Sequence, residues 1–547
     1  MFVRFLVPWL ATAAALAQVS SFPRPSYFRQ TFARTDTRVE LKGPVRLHDF
    51  VADGKLELSL RNYLELVMAN NTDIQIDLLT VETPKNAIMR AFSTWDPLAT
   101  ASFTDTKSST PSTGALAGAS TVVSLSQPAN FGFQQTLPTG LSYSVGLAAS
   151  KSTSNSSFQT LNPALSSNLS FSFSQPLLRN RGAAVNRLNL MLARSRLRVS
   201  EYTLKTTLLQ AVNTAENAYW DVVQARENLH VQEDARKLAD ESLKLSQKEL
   251  ELGAISPLDI YNPEQQLANA ELGVSQAVFA LEQTENTLRK QIGADLDPDI
   301  RKLPIEVTEK VEAPSALDFD MEAEVAKALA MRPDVRSAVQ NLDVDELSIR
   351  QANNELLPNV SLTGGYTTQG VGGTYYQRTN VFDTSGNSSQ VVTAIPGGFG
   401  DAVSQMFGFG YPVYSFGLNL SLPIRSHAAA ADLADALVQK KRDALTIRTI
   451  QQQVRLNVLN AISSVNSSKQ ALKLAVAAQD FAQKYLDAEN QKYQLGVDPM
   501  QFVLQAQTQL SQAQSAVVQN EVGLRRNLLN LLTQTGELLD QRGIVVQ

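Results

Sequence analysis

The chain states one pattern twice, 243 residues apart, and a duplication of this kind fixes an architecture before any single residue does. Leu252-Gly253-Ala254-Ile255-Ser256-Pro257 answers to Leu495-Gly496-Val497-Asp498-Pro499. Each closes one long polar helical run and opens another. Forty residues further on, Ile292-Gly293 answers to Thr535-Gly536. Between them Leu267, Ala270, Val274, Leu281 and Leu288 fall on Leu510, Ala513, Val517, Leu524 and Leu531. Earlier marks recur too: Asp73 to Pro97 and Asp334 to Pro358 are both 24 apart, and Pro176 answers to Pro423.

Within each copy the periodicity changes along the chain. Leu60, Tyr63, Leu64, Val67 and Met68 have helix spacing. The stretch Leu56 to Arg90 reads as helical, interrupted at Asn70-Asn71-Thr72-Asp73, with Asp73 expected as an N-cap. Its counterpart Glu322 to Ala352 is interrupted by Pro333, which lacks an N–H and clashes one turn back. After Pro97 and Pro358 the pattern alternates. Leu169, Phe171 and Phe173 face one way and Ser170, Ser172 and Ser174 the other; Leu418, Leu420 and Leu422 alternate with Asn419 and Ser421. Such period-two segments suit barrel strands with one lipid face and one watery face. Strands are expected at about 98–107 and 165–175, then 359–369 and 413–423. A hairpin is inserted at about 121–150 around Leu137-Pro138-Thr139-Gly140, either as two wall strands or outside the wall. Gly370 to Tyr411 reads as a long Gly-rich surface loop.

Long helices follow. No proline and no glycine interrupts Ala183 to Leu252. Leu204, Leu208, Ala211, Ala215, Ala218, Val222, Ala225 and Leu229 alternate spacings of four and three, a coiled-coil seam. Val454, Val458, Ala461, Val465, Ser468, Leu472 and Ala475 form the second seam. The other faces are polar, so each rod packs on neighbours along one stripe and meets water elsewhere. The long helices are expected over 183–252 and 428–495 and the return helices over 257–292 and 499–535.

The segmentation is therefore a leader (1–17), an irregular arm (18–57), a first repeat (58–297), a linker (298–320), a second repeat (321–536) and a tail (537–547). Arg4, the apolar stretch Leu6 to Leu16 and Ala15-Leu16-Ala17 read as a cleavable export signal, with Gln18 as the expected mature start. The 547 residues carry 48 basic and 53 acidic side chains, a balance of −5, and no polybasic footprint for nucleic acid. With no Cys there are no disulfides, thiolate metal sites or cysteine nucleophiles. His48, His230 and His427 lie in different elements, with no H-E-x-x-H. The Gly-Gly pairs lack the Lys-Ser/Thr of a phosphate loop. The expectation is no enzyme, no cofactor and no metal.

In order and spacing, these segments resemble the TolC family of outer-membrane efflux proteins. The resemblance is carried by Ala69-Asn70-Asn71-Thr72-Asp73, Trp95-Asp96-Pro97, Gln175-Pro176-Leu177-Leu178, Leu252-Gly253 through Asp259, Arg332-Pro333-Asp334, Leu357-Pro358 and Leu495-Gly496 onward, across roughly residues 58–536. It implies an α+β membrane protein: a homotrimer with one shared β-barrel among outer-membrane lipids, continued by one periplasmic α-helical barrel. It also implies a conduit from periplasm to exterior, docked to a periplasmic adaptor and an energised inner-membrane transporter. The cargo would be small toxic compounds, or alternatively secreted polypeptides; an exported coiled-coil surface protein is a more distant alternative. Gly253, Ser256, Pro257, Gly496 and Pro499 would form the periplasmic tip that meets the adaptor. Asp259, Asp498, Gln501 and Gln505 are the candidate aperture. Family members often narrow the aperture with acidic side chains near the second turn. Here Gln501 and Gln505 stand instead, so a tip held by amide hydrogen bonds more than by charge is expected.

Overall fold

In a computed structural model, the described residues are 45–112, 119–156, 159–309, 318–378 and 391–544; the expected leader lies outside them. A 3₁₀ turn, Leu47–Phe50, precedes β1 (Val51–Ala52) and β2 (Lys55–Leu58). Helices α1 (Leu60–Asn70), α2 (Thr72–Leu79) and α3 (Glu82–Phe92) follow. Then come β3 (Leu98–Phe103), β4 (Thr106–Pro111), β5 (Thr121–Thr136), β6 (Ser142–Ser154) and β7 (Leu161–Pro176). Next are α4 (Gly182–Asn186), α5 (Leu188–Glu251), α6 (Tyr261–Gln291) and β8 (Ile305–Val307). The second copy comprises α7 (Met321–Met331), α8 (Pro333–Glu355), β9 (Asn359–Arg378), β10 (Val391–Ile395), α9 (Phe399–Phe407), β11 (Tyr411–Ser421), α10 (His427–Gln494), α11 (Met500–Thr535) and α12 (Leu538–Gln541).

The large sheet is an up-and-down wall six strands wide. Its order is β3/β4, β5, β6, β7, β9, β10/β11, every neighbour antiparallel. Each edge is built of two pieces: β3 and β4 both pair with β5, and β10 and β11 both pair with β9. The inserted hairpin, β5 and β6, is thus part of the wall, hydrogen-bonded between β3 and β7. Register sorts the side chains by chemistry. One rung runs Phe133, Val145, Phe171, Tyr366, Tyr414 and the next Phe131, Leu147, Leu169, Thr368. The other face is hydroxyl-rich: Ser144 meets Ser172 and Ser150 meets Ser166, each at 2.7 Å, and Ser108 meets Ser124 at 2.8 Å. Phe103, Phe131, Phe416 and Leu418 are left exposed by the protomer, as expected of a face that meets hydrocarbon.

Three expectations change here. Gly370 to Tyr411 is not wholly loop: β9 runs on to Arg378, and β10 and α9 follow. α9 lies on the apolar face. A Cβ on Gly370 would meet the Ala402 carbonyl oxygen at 1.8 Å, so only glycine admits this approach. Thr368 Oγ1 donates to the Met406 carbonyl at 2.9 Å, and Ala402 and Met406 are buried. Period-two glycines here mark a helix-docking groove, which alternation alone reads as loop. The first strand is broken between Phe103 and Thr106, where Thr104 donates its N–H to Pro128. The arm is not wholly irregular either, because β2 at its end pairs in parallel with β8 of the linker, across the whole first repeat.

The helical part packs on two large cores and a small third one near the tip, where Leu486 of α10 meets Val503, Ala506 and Leu510 of α11. In the first, Leu56, Leu58 and Ile305 of the small sheet join Tyr63 and Val67 of α1 with Leu208, Val212 and Tyr219 of α5. The Tyr219 hydroxyl donates to the Leu58 carbonyl at 3.0 Å. In the second, Val454, Val458, Ala461 and Val465 of α10 meet Val325 and Val335 of α7 and α8 and Leu524 and Leu531 of α11. The first cap differs from expectation. Asn71, not Asp73, caps α2, accepting from the N–H groups of Asp73 (2.9 Å) and Ile74 (3.3 Å). Its backbone is extended while Asp73 is already helical, and an N-cap must stand outside the helix.

Between α8 and α10 lies a carboxyl pair. Asp345 is 6% exposed. Burial, then the hydrogen-bonded Asp443 beside it, pushes its carboxyl up to about 6, with Lys440 partly opposing. A raised folded-state value contributes stability that is complete below the ordinary carboxylate range and is lost as pH rises through about 6. Asp345→Asn is therefore expected to raise the thermal midpoint at pH 7.5, with the gain shrinking at pH 5. A midpoint that is unchanged or lowered at pH 7.5 contradicts this.

Candidate functional site

The four long helices form one layer, in the order α10, α11, α5, α6. Helix α5 has 64 residues and α10 has 68, so each extends roughly 100 Å from the sheet. They end at one tip. Gly253 (φ 72°) and Gly496 (φ 71°) stop them with the same motif. Ala254 N–H donates to Glu249 C=O at 2.8 Å and Gly253 N–H to Leu250 C=O at 3.0 Å. In the second copy Val497 donates to Lys492 at 3.0 Å and Gly496 to Tyr493 at 2.9 Å. These are Schellman caps, which need a left-handed residue and so favour glycine. Gly293 and Gly536 end the return helices in the same conformation, again 243 apart.

The two turns differ after the glycine. Pro499 stands at the N-cap of α11, but Pro257 belongs to a separate turn and α6 begins only at Tyr261. The longer turn is held by Ser256 and Asp259. Asp259 Oδ2 accepts from Ser256 N–H at 3.1 Å, and Ser256 Oγ accepts from Leu258 N–H at 3.3 Å. Asp498 is occupied differently: Lys492 Nζ lies 3.2 Å from it and 2.7 Å from Glu489. Glu489, then Asp498, hold the Lys492 ammonium above its usual range. Both candidate aperture carboxylates thus have local partners. Gln501 and Gln505 are exposed, one turn apart on α11, with no partner among the described residues.

What joins the two turns is a contact the sequence reading missed. The Tyr493 hydroxyl donates to Glu249, tying the end of α10 to the end of α5. Burial, then this carboxylate, push the phenol well above its ordinary value, so it stays a donor at every physiological pH. The signal was available: Tyr493 aligns with Leu250 and Lys492 with Glu249, polar and charge departures inside otherwise matched copies. Higher up, α11 is fastened to α5 by polar pairs. Gln507 donates to Ser242 at 2.9 Å, Ser515 to Asn228 at 3.1 Å, and Arg526 pairs with Asp221.

An amphipathic sheet continued by a layer of coiled-coil rods with a turned tip is the fold of this chain. The model of the outer membrane efflux protein family matches residues 140–294 and 325–537, and the chain belongs to that family. Its members are channel proteins, not enzymes. Among curated proteins it is similar to the probable efflux pump outer membrane protein TtgC of Pseudomonas putida, 25% identical over 345 residues. That alignment spans 62% of each chain. The outer membrane protein TolC of Escherichia coli is 23% identical over 359 residues, covering 63% of this chain and 64% of that one. Among solved structures, the Campylobacter jejuni CmeC outer membrane channel aligns with a TM-score of 0.62 at 16% identity, over 90% of this chain and 87% of that one.

Two substitutions separate the ties at the tip. If the Tyr493–Glu249 bond restrains it, Tyr493→Phe raises closed-state conductance in planar bilayers several-fold. If amide contacts also hold it, Gln505→Ala does the same. A variant that conducts and closes like the parent removes its residue from the account.

Proposed function

We propose that the chain is the outer-membrane conduit of an efflux assembly, a homotrimer passing solutes from periplasm to exterior. The observation that carries this reading is the pattern of internal and missing interfaces. Within the chain the second copy's first strand, β9, pairs with the first copy's last, β7. Likewise the second copy's return helix, α11, packs on the first copy's long helix, α5. The equivalent contacts, β3 with β11 and α6 with α10, are not made within one chain among the described residues. Cyclic symmetry supplies them from neighbours, repeating the interface already inside the protomer. Six strands per chain is an even number, so β11 meets the next β3 antiparallel and the wall closes. Three chains give a barrel of about 18 strands, within the range of outer-membrane barrels. Exposed apolar residues on the free helices, Phe279 of α6 and Phe481 of α10, are covered by the same closure.

The conduit has no energy source, so transport depends on an energised inner-membrane transporter reached through a periplasmic adaptor. The exposed tip, Gly253 to Pro257 and Gly496 to Pro499, is the adaptor surface, and the aperture lies among Asp259, Asp498, Gln501 and Gln505. The cargo is small toxic compounds; the alternative is a secreted polypeptide, with the chain as the outer-membrane conduit of type I secretion. The chain is expected to leave membranes only with detergent and to insert into planar bilayers in unitary conductance steps. Recovery in a soluble fraction, or absence of discrete steps, contradicts the reading. Drug sensitivity of a deletion strain, set against loss of a secreted polypeptide, separates the two cargo classes.

A further inference from the structure

From residue 106 to residue 200 the chain contains no Asp or Glu, while Lys107, Lys151 and six arginines fall in that span. The arginines are clustered at 179, 181, 187, 194, 196 and 198, where the apolar wall gives way to helix. The sheet's last hydrogen bonds here run from Leu177 to Val360 and from Arg179 to Pro358. Arg179 and Arg181 therefore sit on the rim, and Arg187 starts α5. Arg194 and Arg198 lie about 10 and 16 Å further down that helix.

Arg179 pairs with Glu355. Among the described residues the other five make no ion pair or hydrogen bond through their guanidinium groups. Arg194 and Arg198 flank a cleft of roughly 390 Å³ between α5 and α8, with Gln340, Asp343, Glu346 and Arg350 on its other wall. Both carboxylates there are engaged from within α8, Asp343 by Gln340 (2.9 Å) and Glu346 by Arg350 (2.8 Å). The two α5 guanidiniums are left facing the opening. Apolar side chains lie along the same rim: Leu178, Met191, Leu356 and Leu357 are all exposed. An ion from solution needs no such surface, whereas an amphiphile does.

We propose that this collar binds the phosphate headgroups of anionic phospholipids in the periplasmic leaflet. Leu178, Leu356 and Leu357 meet acyl chain, and Arg187, Arg194 and Arg198 take the phosphate. Guanidinium forks match phosphate oxygens in two-point contacts. Basic residues at a membrane edge add attraction toward anionic lipid. The collar would fix the height of the barrel in the membrane and tie each rod to it. This rests on the outer-membrane placement argued above.

The test is native mass spectrometry of the detergent-solubilised full-length assembly, titrated with phosphatidylglycerol, with phosphatidylcholine or with inorganic phosphate. Phosphatidylglycerol is expected to bind roughly tenfold tighter than phosphatidylcholine. The triple variant Arg187→Gln/Arg194→Gln/Arg198→Gln should bring the two lipids within about twofold, whereas Lys244→Gln/Lys473→Gln, further along the rods, keeps the preference. If the triple variant does not assemble, a salt titration of the parent decides. The preference collapses as salt rises if charge carries it and persists if it does not. Equal binding of both lipids by the parent, retention of the preference by the triple variant, or displacement of the lipid by inorganic phosphate overturns the proposal. Conductance measured in parallel separates the two readings. An assembly that conducts but shows no lipid preference sinks only the collar, whereas failure to insert sinks the membrane placement itself.

Discussion

The structure turns on the unpaired backbone at the two edges of one sheet. β11 is 11 residues long, and about every second residue turns its N–H and C=O away from β9. In hydrocarbon each unsatisfied group costs several kcal/mol, so one bare edge costs on the order of tens of kcal/mol. That exceeds the net stability of an ordinary domain. A single chain therefore cannot rest in lipid, whatever its core supplies. The edges must meet other edges, and the even strand count lets them meet antiparallel around a ring.

The same logic sets the rods. Helices of 64 and 68 residues with narrow seams have too little dry surface to stand alone. The protomer flanks α5 on both sides, with α11 and α6, but leaves α6 and α10 each with a free flank. Sheet and rods are thus incomplete in the same way, and in the proposed homotrimer one rotation completes both. The two cores around Tyr219 and Val458 anchor the rods where they meet the short helices and the small sheet. The tip is held by the small cluster of Leu486, Val503, Ala506 and Leu510 and by polar ties, Tyr493 to Glu249 and Lys492 between Glu489 and Asp498.

Much of this was legible in the sequence because it rests on periodicity. Of the seam on α5, Leu204, Leu208, Ala215, Ala218 and Val222 are buried as the spacing predicts, and Ala211, Ala225 and Leu229 are half-buried. The paired glycines at 253 and 496 take the left-handed conformation that a helix stop needs. Three things were harder to read. The β2–β8 pairing joins residues about 250 apart, and no local pattern carries such a contact. α9 was hidden because the glycines that seat it, Gly370 and Gly372, look like loop when the partner helix is unknown. At the tip, Asp259 and Asp498 are aperture candidates by position, but each is first occupied by its own turn or a neighbouring lysine. Sequence gives the residue type at such positions, not which of its possible partners is nearest.

Backbone hydrogen exchange on the detergent-extracted assembly tests the central claim most directly, with β6 in mid-sheet as the internal standard. If the edges are paired between chains, every amide of β3 and β11 is protected to the level of β6. Alternate amides of β11 exchanging as fast as exposed loop would mean that the edge is open, and closure by neighbouring copies would be wrong.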